Sequence, residues 1–425
     1  MRRTDVPIVT RSPRAGAAPP AVAGLQVRLA PDVKVRHQSG IAFVYVPRRD
    51  HFFALDADHA GLARRLRNGR WAPAAADQAE PARTLAELGV CETEPPTPRR
   101  AFVGRSVVGR FDTLPTSREP LVVNCFATSF CPLKCAYCHA DDLMVNYRGQ
   151  ENDRWLSRVL RAAGATPAMV GVVTGGEPLA RIERTERLIR KLFATGKAVV
   201  LDTSGVGDFS RLLPTLVRYH VHVRVSMDSA DSAVNDRLRP GNRRFVPAGT
   251  SSAAHATDAV RRAVRAGVPC SVQTVVTARN SDLESLLALR DKLIALHVAT
   301  WVLHIVVPVG KAARPAGAEL LTGAATEDVL TELIERTAAD GLAIDIRLTS
   351  THRAPNSVLL ISAKGEIAVE NVTAGGKDTF RVRWLAPRRA ILRHFRRSVD
   401  RTGHASRYLN GSLEPYPRGA VLPRG

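Results

Sequence analysis

The chain has 425 residues, 45% of them hydrophobic, enough for one large core with a smaller domain beside it, because single cores seldom grow past roughly 250–300 residues. No apolar run reaches the ~18 residues a membrane span needs, and six cysteines in this length exclude a disulfide framework. The formal charge is +21, with 61 Lys+Arg against 40 Asp+Glu. Most of the excess is arginine in solvated helices, so charge alone does not separate an acidic partner from an arginine-rich composition.

Residues 1–25 begin with arginines and are interrupted by Pro13, Pro19 and Pro20. They lack the apolar stretch of a secretory signal and read as a disordered arm on a cytoplasmic protein. "GIAFVYVP" at 40–47 alternates like a strand, and "DHFFALD" at 50–56 follows a short Arg-Arg turn as a hairpin would. "DADHAGLARRLRNG" starts on an Asp cap, sets Leu62 and Leu66 four apart and stops at Gly69. "PARTLAELGV" predicts a second short helix ending at Gly89. Two strands and short helices over 26–95 make a small winged-helix-like α+β module. Residues 96–119 are polar, marked by prolines and without a period, as a linker is.

From 120 to 350, apolar Val/Ile strands alternate with amphipathic helices in six units, beginning with "LVVNCFAT", "AMVGVVTGG", "AVVLDTSGVG", "VHVRVSMD", "CSVQTVVT" and "WVLHIVVPVG". Unbroken apolar strands suit a parallel sheet covered by helices. Six units are too few for an eight-stranded barrel, so the expected fold is α/β, an open partial (β/α)6 barrel with its chemistry at the carboxyl ends of the strands. The remainder, 351–425, predicts a hairpin turning at Lys364 and Gly365, then the basic helix "PRRAILRHFRRSV" with Ile391, Leu392, Phe395 and Val399 on one face.

The first strand of the barrel runs into "CPLKCAYCHADD". Cys131, Cys135 and Cys138 are soft thiolate ligands on one loop, suited to zinc or to an iron–sulfur cluster. For zinc, Cys125 or His139 could supply a fourth ligand. A cluster held by three cysteines would instead leave one iron open for chemistry. The second strand ends in "TGGEPL", where paired glycines admit a close backbone approach and Glu177 brings a carboxylate able to hold a cationic amino group.

The two motifs together resemble the radical S-adenosylmethionine (SAM) enzyme superfamily over about residues 120–350. The resemblance implies a [4Fe–4S] cluster on Cys131, Cys135 and Cys138, with SAM on its fourth iron, cleaved to a radical that removes a hydrogen atom from substrate. It implies further that Tyr137 lies near the adenine and that Gly175, Gly176, Glu177 and Pro178 hold the methionyl amino group. Ser226 and Asp228 would meet ribose or carboxylate, Arg239 would grip the SAM carboxylate, and "VPVGKA" would pass the adenine. Thr203, Ser204, Thr277 and Asn280 sit at strand ends, where contact with SAM competes with local turn capping.

The N-terminal module is similar to the peptide-recognition domain of ribosomal-peptide modification systems, through its hairpin, "ALDADHAGLARRLRNG" and "LAELGVCE". That resemblance implies a precursor-peptide partner whose leader adds to an edge strand beside a helix. No cysteine follows Cys270, so one cluster is expected, and with it redox-neutral chemistry such as epimerisation. Cys125 and Cys270 are the candidate hydrogen-donor thiols, against the ordinary behaviour of buried free cysteine as a small hydrophobe. A flavodoxin or ferredoxin would supply the electron. His304 is read as either facing the barrel interior or packed in its strand, and Asp141 and Asp142 as helix caps or substrate contacts. Two other readings stand beside this one: a radical SAM enzyme on a small molecule, and a zinc protein that binds nucleic acid.

Overall fold

The computed structural model describes residues 25–98, 106–111, 115–141, 151–308, 310–323, 325–342, 344–349, 357–371, 376–380 and 387–409. The first strands are β1 (Gln26–Leu29), β2 (Lys34–Gln38), β3 (Ile41–Val46) and β4 (His51–Leu55). Helix α1 (Ala57–Arg65) follows, capped by the Asp56 carboxylate on the His59 N–H and burying Leu62, with Leu66 buried just beyond. Then come β5 (Ala72–Pro73), α2 (Ala79–Glu87), β6 (Cys91–Glu94) and β7 (Val107–Val108). Two small sheets result, in the orders β2-β3-β4-β7 and β5-β1-β6. The hairpin β3–β4 and both helices stand where their patterns put them. The strands "KVRHQ" and "CETE" carry too few apolar residues to announce themselves.

The large unit alternates β8 (Val122–Thr128), α3 (Asp153–Ala165), β9 (Val170–Gly175), α4 (Ile182–Ala194), β10 (Ala198–Thr203), α5 (Phe209–Arg218), β11 (His222–Ser226), α6 (Ser232–Leu238), α7 (Ser252–Arg265), β12 (Cys270–Val276), α8 (Leu283–Ala295), β13 (Thr300–Ile305), α9 (Ala325–Ala339) and β14 (Asp345–Thr349). Strands β8 to β13 are the six expected, parallel and in sequential order, with β14 a seventh beside β13. The tail joins the same sheet: β15 (Val358–Ile361) runs parallel to β8, and β16 (Ile367–Asn371) and β17 (Gly376–Phe380) complete an antiparallel edge. Helices α10 (Pro387–Ser398) and α11 (Arg401–Leu409) end the described chain.

Alternation along each strand sorts the side chains. Val123 and Cys125 of β8 face the helices in the main core, whereas Val122, Asn124 and Phe126 face inward. At the amino ends of the strands, Phe43, Tyr45 and Phe52 of the β3–β4 hairpin pack on Val122, Val170 and Val200, with Ala405 and Leu409 of α11 in the same cluster. The N-terminal module and α11 therefore close the floor of the partial barrel. His404 fastens α11 there, accepting from the Leu121 N–H at 2.9 Å and bonding the Ser357 carbonyl through its other nitrogen. Among the described residues no helix is long and apolar enough to cross a membrane.

Candidate functional site

The three-cysteine loop leaves the carboxyl end of β8 and is held from several sides. Glu151, buried, takes the Thr128 hydroxyl at 2.8 Å and the Ser129 N–H at 2.6 Å, so a carboxylate satisfies the chain as it leaves the strand. The segment after α6 runs antiparallel to the loop: Lys134 N donates to Pro240 O, Ala136 N to Leu238 O and Asn242 N to Pro132 O. Lys311 closes the far side, its ammonium on Cys135 O at 3.2 Å and its N–H on Cys138 O at 3.1 Å. Gly310 has φ +61°, and a side chain there would meet the Cys138 carbonyl at 2.3 Å, so the close approach requires glycine. Neither Glu151 nor Lys311 stands out in the sequence as a loop brace, because each depends on a fold-level contact.

Burial pushes all three thiols up, Cys138 to about 11, and the neighbouring cysteines reinforce the rise at Cys131 and Cys138. At Cys135, Arg239 and Lys311 partly oppose it. Three thiols that sense one another electrostatically on one rigid loop form a donor set suited to a soft metal centre, which must displace their protons to bind. Of the two fourth ligands considered for zinc, Cys125 points into the helix-facing core, whereas His139 stays on the loop and lines the barrel cavity. Among the described residues no three Cys, His, Asp or Glu side chains gather about one ion-sized point.

At the end of β9, Gly175 has φ +134°, and a side chain there or at Gly176 would strike the carbonyls of Thr128 and Phe130 at 2.2 and 2.0 Å. The paired glycines thus seat β9 against the start of the cysteine loop, and Gly176 N and Glu177 N donate to those same carbonyls at 2.8 and 2.9 Å. Glu177 is 1% exposed, and Pro178 behind it opens a short 3-10 turn. The Glu177 carboxylate accepts four bonds: Thr203 Oγ1 at 2.5 Å and Leu179 N at 3.0 Å on one oxygen, Ser204 N at 2.7 Å and Ser204 Oγ at 2.5 Å on the other. Burial raises its pKa, and the four donors work against that rise. The carboxylate expected to wait for an amino group is thus engaged in tying β9 to β10. It is Thr174 and Gly175 that line the open space.

Asp228, after β11, is 1% exposed and forms the second hub. Arg239 pairs with it through Nε at 2.7 Å and Nη2 at 3.1 Å, the Tyr137 hydroxyl donates to it, and Val275 N donates at 2.9 Å. The Arg239 guanidinium lies 5.5 Å from the Tyr137 ring centroid. Tyr137, Asp228 and Arg239, separate in sequence, are therefore one unit. Asn280 donates to the Asp228 carbonyl at 2.7 Å and accepts from Thr277, so these two brace the hub rather than line the space. Ser226 shares the inward face of β11 with Arg224 two residues before it. Asp141 pairs with Lys311 and Arg314, and Asp142 lies outside the described residues.

The space these residues rim is a cavity of about 390 Å³ inside the barrel. Tyr137, His139 and Gly175 line its upper part, and Asp50, Phe52 and Tyr408 its floor. His304 points into it, held neutral by burial and by Arg407 and Arg224, its pKa pushed down to about 3. Asp50, carried in by the β3–β4 turn, pairs with Arg224 at 2.6 and 2.8 Å and accepts the Tyr45 hydroxyl at 2.7 Å. Asp202 reaches the same arginine at 3.4 Å, and burial raises its pKa to about 6. Cys125 and Cys270 are both outside this cavity, in the core between sheet and helices, with pKa values raised by burial to about 12. A hydrogen-donor role at either thiol does not follow from that placement, because neither sulfur faces the space a substrate would occupy.

The family model of the Radical SAM superfamily matches residues 126–291. The PqqA peptide cyclase of Methylobacterium nodulans is 30% identical over 171 residues, 40% of this chain and 42% of that protein. The PqqA peptide cyclase of Streptomyces rochei is 30% identical over 156 residues, 36% of this chain and 40% of that one. The chain thus spans less than half the length of these curated relatives. Among solved structures, Streptococcus suis SuiB bound to precursor peptide SuiA superposes with a TM-score of 0.54 at 12% identity, covering 91% of this chain and 95% of that one. SuiB bound to S-adenosylmethionine gives 0.55 at 13% identity over 89% and 90%. At that identity the likeness is one of fold, and it extends through the N-terminal module. The segment that matches the Radical SAM superfamily model contains the cysteine loop, the paired glycines and the Asp228 hub.

Proposed function

We propose that this protein is a radical SAM enzyme that modifies a ribosomally made peptide, using one [4Fe–4S] cluster held by Cys131, Cys135 and Cys138. The observation that carries this reading is the shared cavity. Tyr137 and His139 of the cysteine loop and Gly175 at the end of β9 line one cavity, and its floor is built by the module that resembles a peptide-recognition domain. Cluster and SAM, when bound, supply reductive cleavage to a 5′-deoxyadenosyl radical that abstracts hydrogen from substrate.

The chain's own residues prepare the place. Gly175 and Gly176 bring backbone against the loop, Glu177 fixes the ends of β9 and β10, and the Asp228–Arg239–Tyr137 unit presents an aromatic face and a buried cation beside Cys135. Phe43, Tyr45 and Phe52, packed on the amino ends of the strands, close the floor around its paired charges and restrict water there. The remaining cysteines, Cys91, Cys125 and Cys270, are each buried apart from the loop, which supports a single cluster in this chain. A flavodoxin or ferredoxin in the cytoplasm is the proposed reductant. Because neither Cys125 nor Cys270 faces the cavity, epimerisation with a thiol donor is the less supported subtype.

The test is anaerobic reconstitution followed by assay against short peptides encoded near the chain's gene and against small-molecule candidates. The expected result is about four irons per chain, 5′-deoxyadenosine on reduction and a peptide product of defined mass. Stoichiometric zinc without visible absorbance would sink the enzyme reading. Turnover of a small molecule and of no peptide would sink the substrate assignment.

A further inference from the structure

The lower part of the barrel cavity carries more positive than negative charge. Arg224, Arg347 and Arg407 line it, against the carboxylates of Asp50 and Asp202. Both carboxylates are engaged with Arg224: Asp50 takes it on both oxygens at 2.6 and 2.8 Å, and Asp202 reaches it at 3.4 Å. Arg347 turns instead to backbone, donating to the Asp50 carbonyl at 2.5 Å and to the Arg49 carbonyl. Arg407 differs from both. Among the described residues its guanidinium makes no hydrogen bond and no ion pair, and Nη1 is shielded from water. A shielded cation without a partner costs stability, so its retention calls for a partner from outside the folded chain.

The helix that carries Arg407 is fixed. On α11, His404 bonds Leu121 N and the Ser357 carbonyl, and Leu409 is buried. The Tyr408 ring lies 5.8 Å from that of Phe52 and 5.1 Å from that of His404. Arg407 is thus presented to the cavity by a held backbone, which lowers the ordering cost of binding. A guanidinium offers a planar fork of donors that a carboxylate matches with two parallel bonds. Phe52, Val358 and Leu360 line the same cavity, and apolar walls strengthen such a pair. SAM also carries a carboxylate, but its proposed contacts, Tyr137 and Gly175, line the upper part of the cavity, whereas Arg407 adjoins Tyr408 on the floor helix.

We infer that Arg407 holds a carboxylate of the peptide substrate, from an acidic side chain or from the C-terminus, and so selects which residue of the peptide enters the cavity. This rests on the peptide-maturase reading above. The experiment compares the holoenzyme with its Arg407→Gln and Arg407→Lys variants on a peptide that supports turnover. Copies of that peptide carry an amide in place of one carboxylate each, at every acidic side chain in turn and at the C-terminus.

With the native chain, one amidated copy is expected to lose kcat/KM by roughly 10–100-fold, mostly through KM. Arg407→Gln is expected to lose the same factor on the parent peptide and nothing further on that copy. The identity of the copy tells side chain from terminus. Arg407→Lys keeps the charge without the fork and is expected to fall between the two. SAM affinity by equilibrium dialysis stays within about twofold, and the urea midpoint of Arg407→Gln holds or rises, because the variant removes an unpartnered cation. Unchanged kcat/KM in Arg407→Gln overturns the inference, as do losses that multiply on every copy, a fall in SAM affinity, or a lower urea midpoint with KM unchanged. Any of those results in a chain that turns over peptides removes the subsite and leaves the maturase reading standing. Turnover of small molecules and of no peptide removes both.

Discussion

At the carboxyl ends of the strands, the two buried carboxylates each find one partner close by in sequence. Glu177 meets Thr203 across 26 residues, and Asp228 meets Arg239 across 11. At the amino ends the partners come from far apart. Asp50 meets Arg224 across 174 residues, and Arg347 donates to the Asp50 carbonyl across 297. One cavity lies between these two ends. The upper end is assembled from short motifs at successive strand ends, joined to one another through Glu177 and Asp228. The lower end exists only when the N-terminal hairpin, β10, β11 and β14 have come together, so the chemistry of the rim depends on a floor built by another module.

The sharpest way to break this comparison is at the rim. Cys135→Ala is expected to abolish SAM cleavage and remove most bound iron, measured by 5′-deoxyadenosine formation and iron content, while the fold seen by circular dichroism persists. At the floor the expected loss is in stability. Asp50→Ala leaves the Arg224 charge buried beside a weaker partner at 3.4 Å and should cost about 3–5 kcal/mol in chemical denaturation. If Asp50→Ala unfolds no more readily than the native chain, the module is only resting on the barrel.

A smaller effect separates the two floor carboxylates by pH. Arg224 holds Asp50 well below the usual carboxylate range despite its burial, so its contribution is present above the unfolded carboxylate pKa and lost as pH falls. Asp202 is the opposite case. Burial raises it to about 6 against an ordinary 3.8, so the folded state prefers its neutral form, and its ionisation costs stability as pH rises from about 4 through 6. Asp202→Asn should therefore gain on the native chain between pH 4 and pH 7 in urea denaturation. A difference that does not change with pH would remove that carboxylate from the buried floor.

Back at the rim, Ser204→Ala strips one hydroxyl from Glu177 and should cost about 1–2 kcal/mol, with a matching loss in SAM affinity by equilibrium dialysis as the ends of β9 and β10 loosen. The least change is expected at Cys270→Ala, about 1 kcal/mol or less with SAM cleavage and peptide turnover retained, because that thiol only fills space between sheet and helices. Loss of turnover there would restore the hydrogen-donor reading.

The same contrast separates what was legible from what was not. Six parallel strands could be read from unbroken apolar runs, and the three thiols and paired glycines from their spacing. The seventh strand, "DIRLT", alternates charge with apolar residues because Arg347 turns inward to the floor, so its pattern did not announce a buried parallel strand. Glu177 was visible as a carboxylate at a strand end, but not that Thr203 and Ser204 would occupy it. Cys125 could not be assigned a side of the sheet without the register that turns it to the helices.

By itself, then, the sequence determined the layers, the order of the strands and the residue types gathered at their carboxyl ends. Periodicity and short-range spacing are local properties of the chain, and they are written into it directly. Only the tertiary structure decided that Cys125 and Cys270 face the helices, which carboxylates are already engaged, and that the N-terminal module closes both the barrel floor and one edge of its own sheet. Those outcomes depend on side-chain direction and on partners hundreds of residues apart, which no local pattern encodes.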